Sequence, residues 1–246
     1  TPGFVSVPYN DLAALEKVLA DNKATVAGFL VEPIQGEAGV YVPSDGYLSG
    51  AKALCEKYNA LFIADEVQTG VARTGKRLAV DHENVKPDIL VLGKALSGGV
   101  YPVSAVLADD RIMHVIKAGQ HGSTFGGNPL AAAVAIEALQ VVKDEHLAEN
   151  AARLGEIFRK EIGDYIKTSK VATLVRGKGL LNAVVINDTE ESNTAWNICL
   201  KMRDNGLLAK PTHGNIIRFA PPLVMNETEL KECIAIITEA LKHYEP

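Results

Sequence analysis

The sequence predicts an α/β protein in which a mostly parallel sheet comes first and a compact α+β segment follows. Residues 26–31, 60–64 and 88–93 are short runs, apolar almost throughout, which is how strands buried on both faces of a sheet read. The first two runs are joined through residues 44–58, where Leu48, Ala51, Leu54, Cys55 and Tyr58 recur at helical spacing. Strand, helix, strand is the parallel unit, and its crossover is right-handed. Beyond about residue 146 the pattern changes to short strands between amphipathic helices, so two domains are expected, 1–145 and 146–246.

The elements follow in chain order. Asn10 is expected to cap a short helix carrying Leu12, Leu15 and Leu19 on one side. A further strand, 103–107, follows the Tyr101-Pro102 turn. Asn128-Pro129 supplies a capping side chain and then proline at the first helical position, opening an Ala-rich helix to about Val142. A second helix begins near Leu147 with Leu154, Ile157, Phe158, Ile162 and Tyr165 on one face. Residues 171–175, 180–186, 206–209 and 216–219 read as short strands, with helices over roughly 190–204 and 227–244. The last helix has a capping box, Asn226 with Glu229, and an apolar stripe of Leu230, Cys233, Ile234, Ile237 and Leu241. Trp196 and the cysteines are expected in the core, and Tyr47 and His213 in packing or supporting positions.

Composition narrows the function. The 246 residues are 47% hydrophobic and 22% charged, with 25 Lys+Arg against 30 Asp+Glu for a net charge of -5. Such a chain is an ordinary globular one, neither a disordered polyelectrolyte nor a low-complexity repeat. It has no basic run to favour nucleic acid and no apolar stretch of the roughly 20 residues that spans a membrane. Small-molecule chemistry is expected. Cys55, Cys199 and Cys233 are an odd number at wide spacing, which argues against a disulfide framework or zinc site and fits a reducing, intracellular setting. The chain opens Thr1-Pro2-Gly3-Phe4 without a methionine or leader-like segment, so it is expected to be part of a longer protein.

The chemistry-bearing residues stand where the apolar runs stop. Glu32 ends the first, Asp65 the second and Lys94 the third. A parallel sheet brings all three to its carboxyl edge, where open α/β folds bind ligands. Taken singly, each has an ordinary structural role: Asp65 as a turn cap, Lys94 reaching to water, Glu32 as an acceptor of backbone N–H bonds. Together they point to a site. A lysine at the mouth of an apolar strand is partly desolvated, which frees its amine for Schiff-base formation. A nearby aspartate can hold a proton on a pyridine nitrogen and make the ring an electron sink. The segment Gly93-Lys94-Ala95-Leu96-Ser97-Gly98-Gly99 is built of small residues that admit a flat cofactor. Lys94 with Asp65 therefore suggests pyridoxal phosphate. A phosphate needs an anion cradle, and the glycine-rich run 119–128 with Ser123 and Thr124, leading into a helix, can form one. That run matches neither the dinucleotide fingerprint nor the phosphate loop of nucleotide hydrolases.

The strings Ile63-Ala64-Asp65-Glu66-Val67-Gln68-Thr69-Gly70, 93–99 and His121-Gly122-Ser123-Thr124-Phe125-Gly126-Gly127-Asn128-Pro129 together resemble the class III, pyridoxal-phosphate-dependent aminotransferases. Within that class, residues 31–40, Arg176-Gly177-Lys178-Gly179-Leu180-Leu181-Asn182-Ala183 and the stretch from Asn205 through Leu223 are similar to the members that act on ornithine. The resemblance covers essentially the whole chain. It implies the fold-type I transferase architecture, with 1–145 the C-terminal part of the large cofactor-binding domain and 146–246 the small domain. It implies that Lys94 binds the cofactor and moves the proton, and that Asp65 pairs with the pyridine nitrogen. Val67 would pack on the ring, Gln68 would bond its phenolic oxygen, and Ser123 and Thr124 would bind the phosphate of the neighbouring subunit in a homodimer with shared sites. Arg218 would fork a substrate α-carboxylate, with Glu37 masking it when the terminal amine reacts, and Glu32 would line the substrate site. Without the resemblance, Glu37 and Arg218 read as a structural ion pair.

The implied reaction is ping-pong transfer of the δ-amino group of ornithine to 2-oxoglutarate, giving glutamate 5-semialdehyde and glutamate. Members acting on acetylornithine or 4-aminobutyrate are the near alternatives, and an aminomutase of the same class needs no external 2-oxo acid. Family chains carry a long N-terminal part supplying the other phosphate loop, a ring stacked on the cofactor and substrate-selecting residues. An isolated polypeptide of this length is thus expected to be inactive, a dimerisation or regulatory piece being the alternative from another class. No metal is implied, and the expected compartment is the cytoplasm, with the mitochondrial matrix as the alternative.

Overall fold

In the computed structural model, which describes residues 2–246, the first sheet forms from β1 (Gly28–Val31), β2 (Leu61–Asp65), β3 (Ile89–Leu92) and β4 (Ala105–Ala108), in that order. The first three strands are parallel and β4 returns antiparallel to β3, so the sheet is mostly parallel, as the uniformly apolar runs require. One face is covered. The helices α1 (Leu12–Asp21) and α2 (Tyr47–Lys57) contribute Leu15, Leu19, Tyr47, Leu48, Ala51 and Cys55 to a core with Phe62 and Ala64 of β2. Burial pushes the Cys55 thiol up to about 11, so it behaves as a small apolar side chain. The other face carries Leu30 and Val106, both more than half exposed.

The cap of α1 is Asp11, whose Oδ1 accepts the Ala14 N–H at 2.9 Å, and not Asn10. Asn10 takes a left-handed φ of 64° and ties down Ser44 through two bonds of 3.0 Å. The two residues are chemically equivalent as caps, and the long-range partner decides between them. At the far end of the helix–strand unit, Asp88 accepts from Lys52 Nζ and from the Phe62 N–H, each at 2.9 Å, which pins α2 to the edge of β2. Burial raises the Asp88 carboxyl, but these donors and Arg111 outweigh it and hold the group below its ordinary value. The unit continues through the four-residue α3 (Asp110–Met113) to α4 (Pro129–Asp144). Asn128 caps α4 as expected, its Oδ1 accepting the Ala131 N–H at 2.9 Å.

By contact density the chain divides into Thr1–Pro33, Pro43–Val71 and Leu78–Val141 on one side and Ile34–Val42, Ala72–Arg77 and Val142–Pro246 on the other. A single cut near residue 145 does not contain the two excursions at 34–42 and 72–77.

The second unit is built on an antiparallel sheet of β5 (Ala172–Lys178), β6 (Leu181–Ile186), β7 (Lys210–Thr212) and β8 (Ile216–Phe219) in the order β5-β6-β8-β7. Val184, Ile186, Ile217 and Phe219 point to one face and meet α5 (Leu147–Ile166), α6 (Thr194–Asp204) and α7 (Glu227–Lys242) in the larger core. Leu181, Ala183 and Ile216 point to the other and are covered by Ile34 and Val40. The excursion 34–42 is thus a strap across the second face of the sheet. Its ends are stitched by backbone bonds between Gln35 and Tyr41 of 3.1 and 3.0 Å.

Two expectations fail here. No strand forms at 206–209: Gly206 leaves α6 with φ 96°, Leu207 drops into the core while Leu208 is 86% exposed, and the chain rejoins the sheet only at Lys210. Pro211 is tolerated there because β7 is an edge strand. Trp196 is 54% exposed on α6 and outside the core, whereas Cys199, one helical turn on, is buried and its thiol is pushed up to about 12.

Where α5 crosses the β5–β6 turn, Gly155 has no room for a side chain: a Cβ would lie 1.9 Å from the Gly179 carbonyl oxygen. Asn182 is fixed beside it, donating to the same oxygen and accepting from Arg159, both at 2.9 Å. Gly155→Ala is expected to lower the unfolding free energy by about 3 kcal/mol, since backbone, and not a pliable side chain, must move; urea unfolding with an unchanged denaturant slope would register it.

Candidate active site

The carboxyl edge of the parallel sheet carries Glu32, Asp65 and Lys94. Val31 pairs with Ala64 and Asp65 with Val91, so Glu32 and Asp65 leave the ends of adjacent strands and Lys94 follows two residues past the end of β3. Asp65 shares the face of Leu61 and Ile63, is partly exposed, and its Oδ1 accepts the Val67 N–H at 3.1 Å. Val67 lies against Gly93, its methyl carbons within 3.3 and 3.6 Å of where a Cβ there would stand. Asp65, Val67 and the residue preceding Lys94 therefore form one continuous patch. Lys94 itself is exposed and starts a single 3-10 turn, Lys94–Ser97, with a left-handed φ of 42°. A β-carbon in that region costs free energy, and such residues persist where the surroundings fix them, often at functional sites. Gln68 is half-buried in the same turn.

Glu66, adjacent to Asp65, points to the opposite face and does something different. It is 1% exposed; the Thr69 hydroxyl donates to its Oε2, as does the Ala79 N–H at 3.0 Å, and the Val80 N–H donates to Oε1 at 2.8 Å. Burial pushes its carboxyl above the ordinary value despite these donors. The turn that presents Asp65, Val67 and Gln68 is thus fastened from below by one buried carboxylate, a role that the sequence reading did not assign. Strand alternation could have signalled it, because Phe62, Ala64 and Glu66 share the buried face.

Ser123 and Thr124 lie exposed in the loop leading to α4, where Ser123 Oγ accepts the Gly126 N–H at 2.9 Å. Among the described residues no hydrogen bond links either to Lys94 or Asp65. In the second unit, Arg218 and Glu37 are brought together across 181 residues of sequence, Nη1 to Oε2 at 2.9 Å. Lys210 Nζ approaches Oε1 of the same carboxylate at 3.4 Å. Partial burial raises the Glu37 carboxyl, but Arg218 and Lys210 together outweigh it and hold the group below its ordinary value. The Thr212 hydroxyl donates to the Glu37 carbonyl. Lys210 and Thr212 were not singled out by sequence, since their part depends on strand register.

The first unit thus carries an amine and a carboxylate at the carboxyl edge of a parallel sheet, and the second an ion-paired guanidinium on an antiparallel sheet. The chain belongs to the class III aminotransferases: the model described as "Aminotransferase class-III" matches residues 1–241. Among curated proteins it is similar to the mitochondrial ornithine aminotransferase of Rattus norvegicus, with 62% identity over 240 residues, 98% of this chain and 54% of that protein. Among solved structures it is similar to the acetylornithine aminotransferase of Elizabethkingia anophelis, with a TM-score of 0.97 and 64% identity over 99% of this chain and 64% of that one. It is also similar to the ornithine aminotransferase of Toxoplasma gondii, described with PLP partially occupying its active site, with a TM-score of 0.95 and 49% identity over 99% of this chain and 56% of that one. The chain spans about half the length of the curated relatives it matches. No helix among the described residues is long and apolar enough to cross a membrane, and no group of His, Cys, Asp and Glu there is arranged to hold a metal ion.

Proposed function

We propose that the protein transfers the δ-amino group of ornithine to 2-oxoglutarate, yielding glutamate 5-semialdehyde and glutamate, with pyridoxal phosphate as cofactor. The 2.9 Å pairing of Glu37 with Arg218 carries the choice of substrate. One site must accept a substrate whose reacting amine is far from its carboxylate and another whose reacting carbon bears one. A guanidinium neutralised by a movable carboxylate suits both.

The residues fit the cofactor. Lys94 offers an exposed primary amine, Asp65 a partly exposed carboxylate on the same edge, and Val67 an apolar surface between them. When bound, pyridoxal phosphate supplies an aldehyde and a ring that takes up an electron pair. Lys94 Nζ would hold the cofactor and would take up and return the proton of the substrate carbon. The Asp65 carboxylate keeps the pyridine nitrogen protonated, which favours electron withdrawal. Gln68 would bond the phenolic oxygen, Val67 would offer the ring an apolar face, and Glu32 would line the substrate site. Arg218 binds the α-carboxylate of the 2-oxo acid once Glu37 moves aside, and is neutralised by Glu37 while ornithine reacts.

Ser123 and Thr124 serve the phosphate of a partner subunit in a homodimer. Exposed apolar residues support a covering chain: Val106 and Leu107 on β4 and Leu130, Ile136 and Leu139 on α4. The large domain then takes most of 1–145 and the small one 146–246 together with the excursions at 34–42 and 72–77. Of the two expected compartments, the names of the rat and Drosophila melanogaster relatives favour the mitochondrial matrix.

The Elizabethkingia relative favours acetylornithine as the second reading. Half-reactions of the purified full-length protein with ornithine, acetylornithine and 4-aminobutyrate separate them. Ornithine is expected to react at least about tenfold faster in kcat/KM, a margin of about 1.4 kcal/mol, with turnover dependent on 2-oxoglutarate. Preference for acetylornithine, or turnover without a 2-oxo acid, would reject the proposal.

A further inference from the structure

The cations around Glu37 are set by strand register. Arg176 pairs with Ala183, Ala183 with Arg218, and Arg218 with Lys210, so the four residues form one row across the sheet on the face that the strap covers. Lys210 and Arg218 are direct cross-strand neighbours on β7 and β8. Like charges in that relation repel, and the repulsion is relieved only by an anion lying over both. Glu37 is that anion, with Oε2 on Arg218 at 2.9 Å and Oε1 on Lys210 at 3.4 Å.

The backbone beneath Glu37 is held independently of its carboxylate. Arg176 donates to the Gly39 carbonyl from Nε at 3.0 Å and Nη2 at 2.8 Å, and its guanidinium lies 3.9 Å from the centre of the Tyr41 ring. Gly39, at φ 128°, has Ile216 Cδ1 2.7 Å from where a Cβ would stand, so the strap lies flat on the sheet. With its main chain fixed by Gly39, Thr212 and the Gln35–Tyr41 stitches, Glu37 can leave Arg218 only by rotating its own side chain. That side chain is 63% exposed, Arg218 17% and Lys210 66%. The exposed ammonium is the cross-strand neighbour of the guanidinium and already within 3.4 Å of the other carboxylate oxygen.

We infer that Lys210 is a positioning residue of the carboxylate site: it retains Glu37 after the carboxylate leaves Arg218, so that unmasking exchanges one cation for another and a dicarboxylate can enter. This deepens the reading of Glu37 and Arg218 given under the proposed function and rests on it. While the terminal amine of ornithine reacts, Glu37 stays on Arg218 at 2.9 Å, and Lys210, at 3.4 Å, is only its weaker second contact. Its removal therefore affects the 2-oxoglutarate half-reaction more than the ornithine one.

The test is Lys210→Gln and Lys210→Arg in the full-length holoenzyme, with the two half-reactions measured separately. For Lys210→Gln, KM for 2-oxoglutarate is expected to rise about fivefold, as losing an exposed ion pair allows, with a smaller shift in the ornithine half-reaction and with recovery in Lys210→Arg. Calorimetric binding of glutarate, an unreactive five-carbon dicarboxylate, is expected to weaken by the same factor. Equal shifts in both half-reactions, no shift in either, unaltered glutarate binding, or no recovery with arginine would each overturn the inference. A wild-type protein that does not use ornithine at all would sink the proposed function instead, while the glutarate comparison still scores Lys210.

Discussion

Lys94→Ala in the full-length protein is expected to abolish the borohydride-trappable bond to the cofactor and to lower turnover by at least about 10³-fold, within the range that positioned acid–base groups and covalent attachment supply. The side chain is exposed and makes no hydrogen bond to the rest of the described chain, so its loss leaves the fold intact, and circular dichroism is expected to be unchanged. Removing the β-substituents beyond Cβ also leaves the left-handed backbone at φ 42° as it is. Lys94→Arg is the sharper variant. It preserves the positive charge at the sheet edge but has no nucleophilic amine, so it is expected to be as inactive as alanine. Turnover retained by either variant would reject the assignment of Lys94, and with it the reading of the carboxyl edge as the site of chemistry.

Glu66→Ala is expected to destabilise the first unit by about 3 kcal/mol. Three donors, the Thr69 hydroxyl and the Ala79 and Val80 amides, lose their acceptor in a place that water does not reach, and each buried donor left unmade costs about 1 to 3 kcal/mol. The sum is reduced because burying the carboxylate is itself unfavourable, as its upward-shifted pKa shows. Glu66→Gln keeps the volume and one acceptor oxygen but turns an amide toward a donor, so about half the loss is expected. Urea midpoints for the two variants, with slopes equal to wild type, are the measurement. An effect below about 1 kcal/mol for alanine would mean that the turn bearing Asp65 and Val67 holds itself without the buried carboxylate.

The parallel sheet and the charged residues at its carboxyl edge were legible because they depend on local pattern alone. A strand buried on both faces is apolar throughout, and its end shows as the first charged residue: Glu32, Asp65, and Lys94 after Gly93. The pairing of Glu37 with Arg218 was reachable only through resemblance, since nothing local connects residues 181 apart. Lys210 was out of reach for a related reason. Its neighbour is chosen by the β7–β8 register, which the loop at 213–215 sets, and the apolar Leu207-Leu208-Ala209 that precedes it reads as the strand instead. Glu66 was hidden by adjacency, since consecutive acidic residues at a strand end look alike until alternation sends one outward and the other into the core. Trp196 misled because size and apolarity do not say which side of a helix is wet.

The strap at 34–42 is made well before β8 at 216–219, which completes the face it covers. Until then Ile34 and Val40 have no partner surface, and Glu37 has neither cation. Sequence separations of this size slow folding through the entropy of closing the intervening loop. The second face of that sheet, and the pairing of Glu37 with its two cations, can therefore form only once β8 has been made.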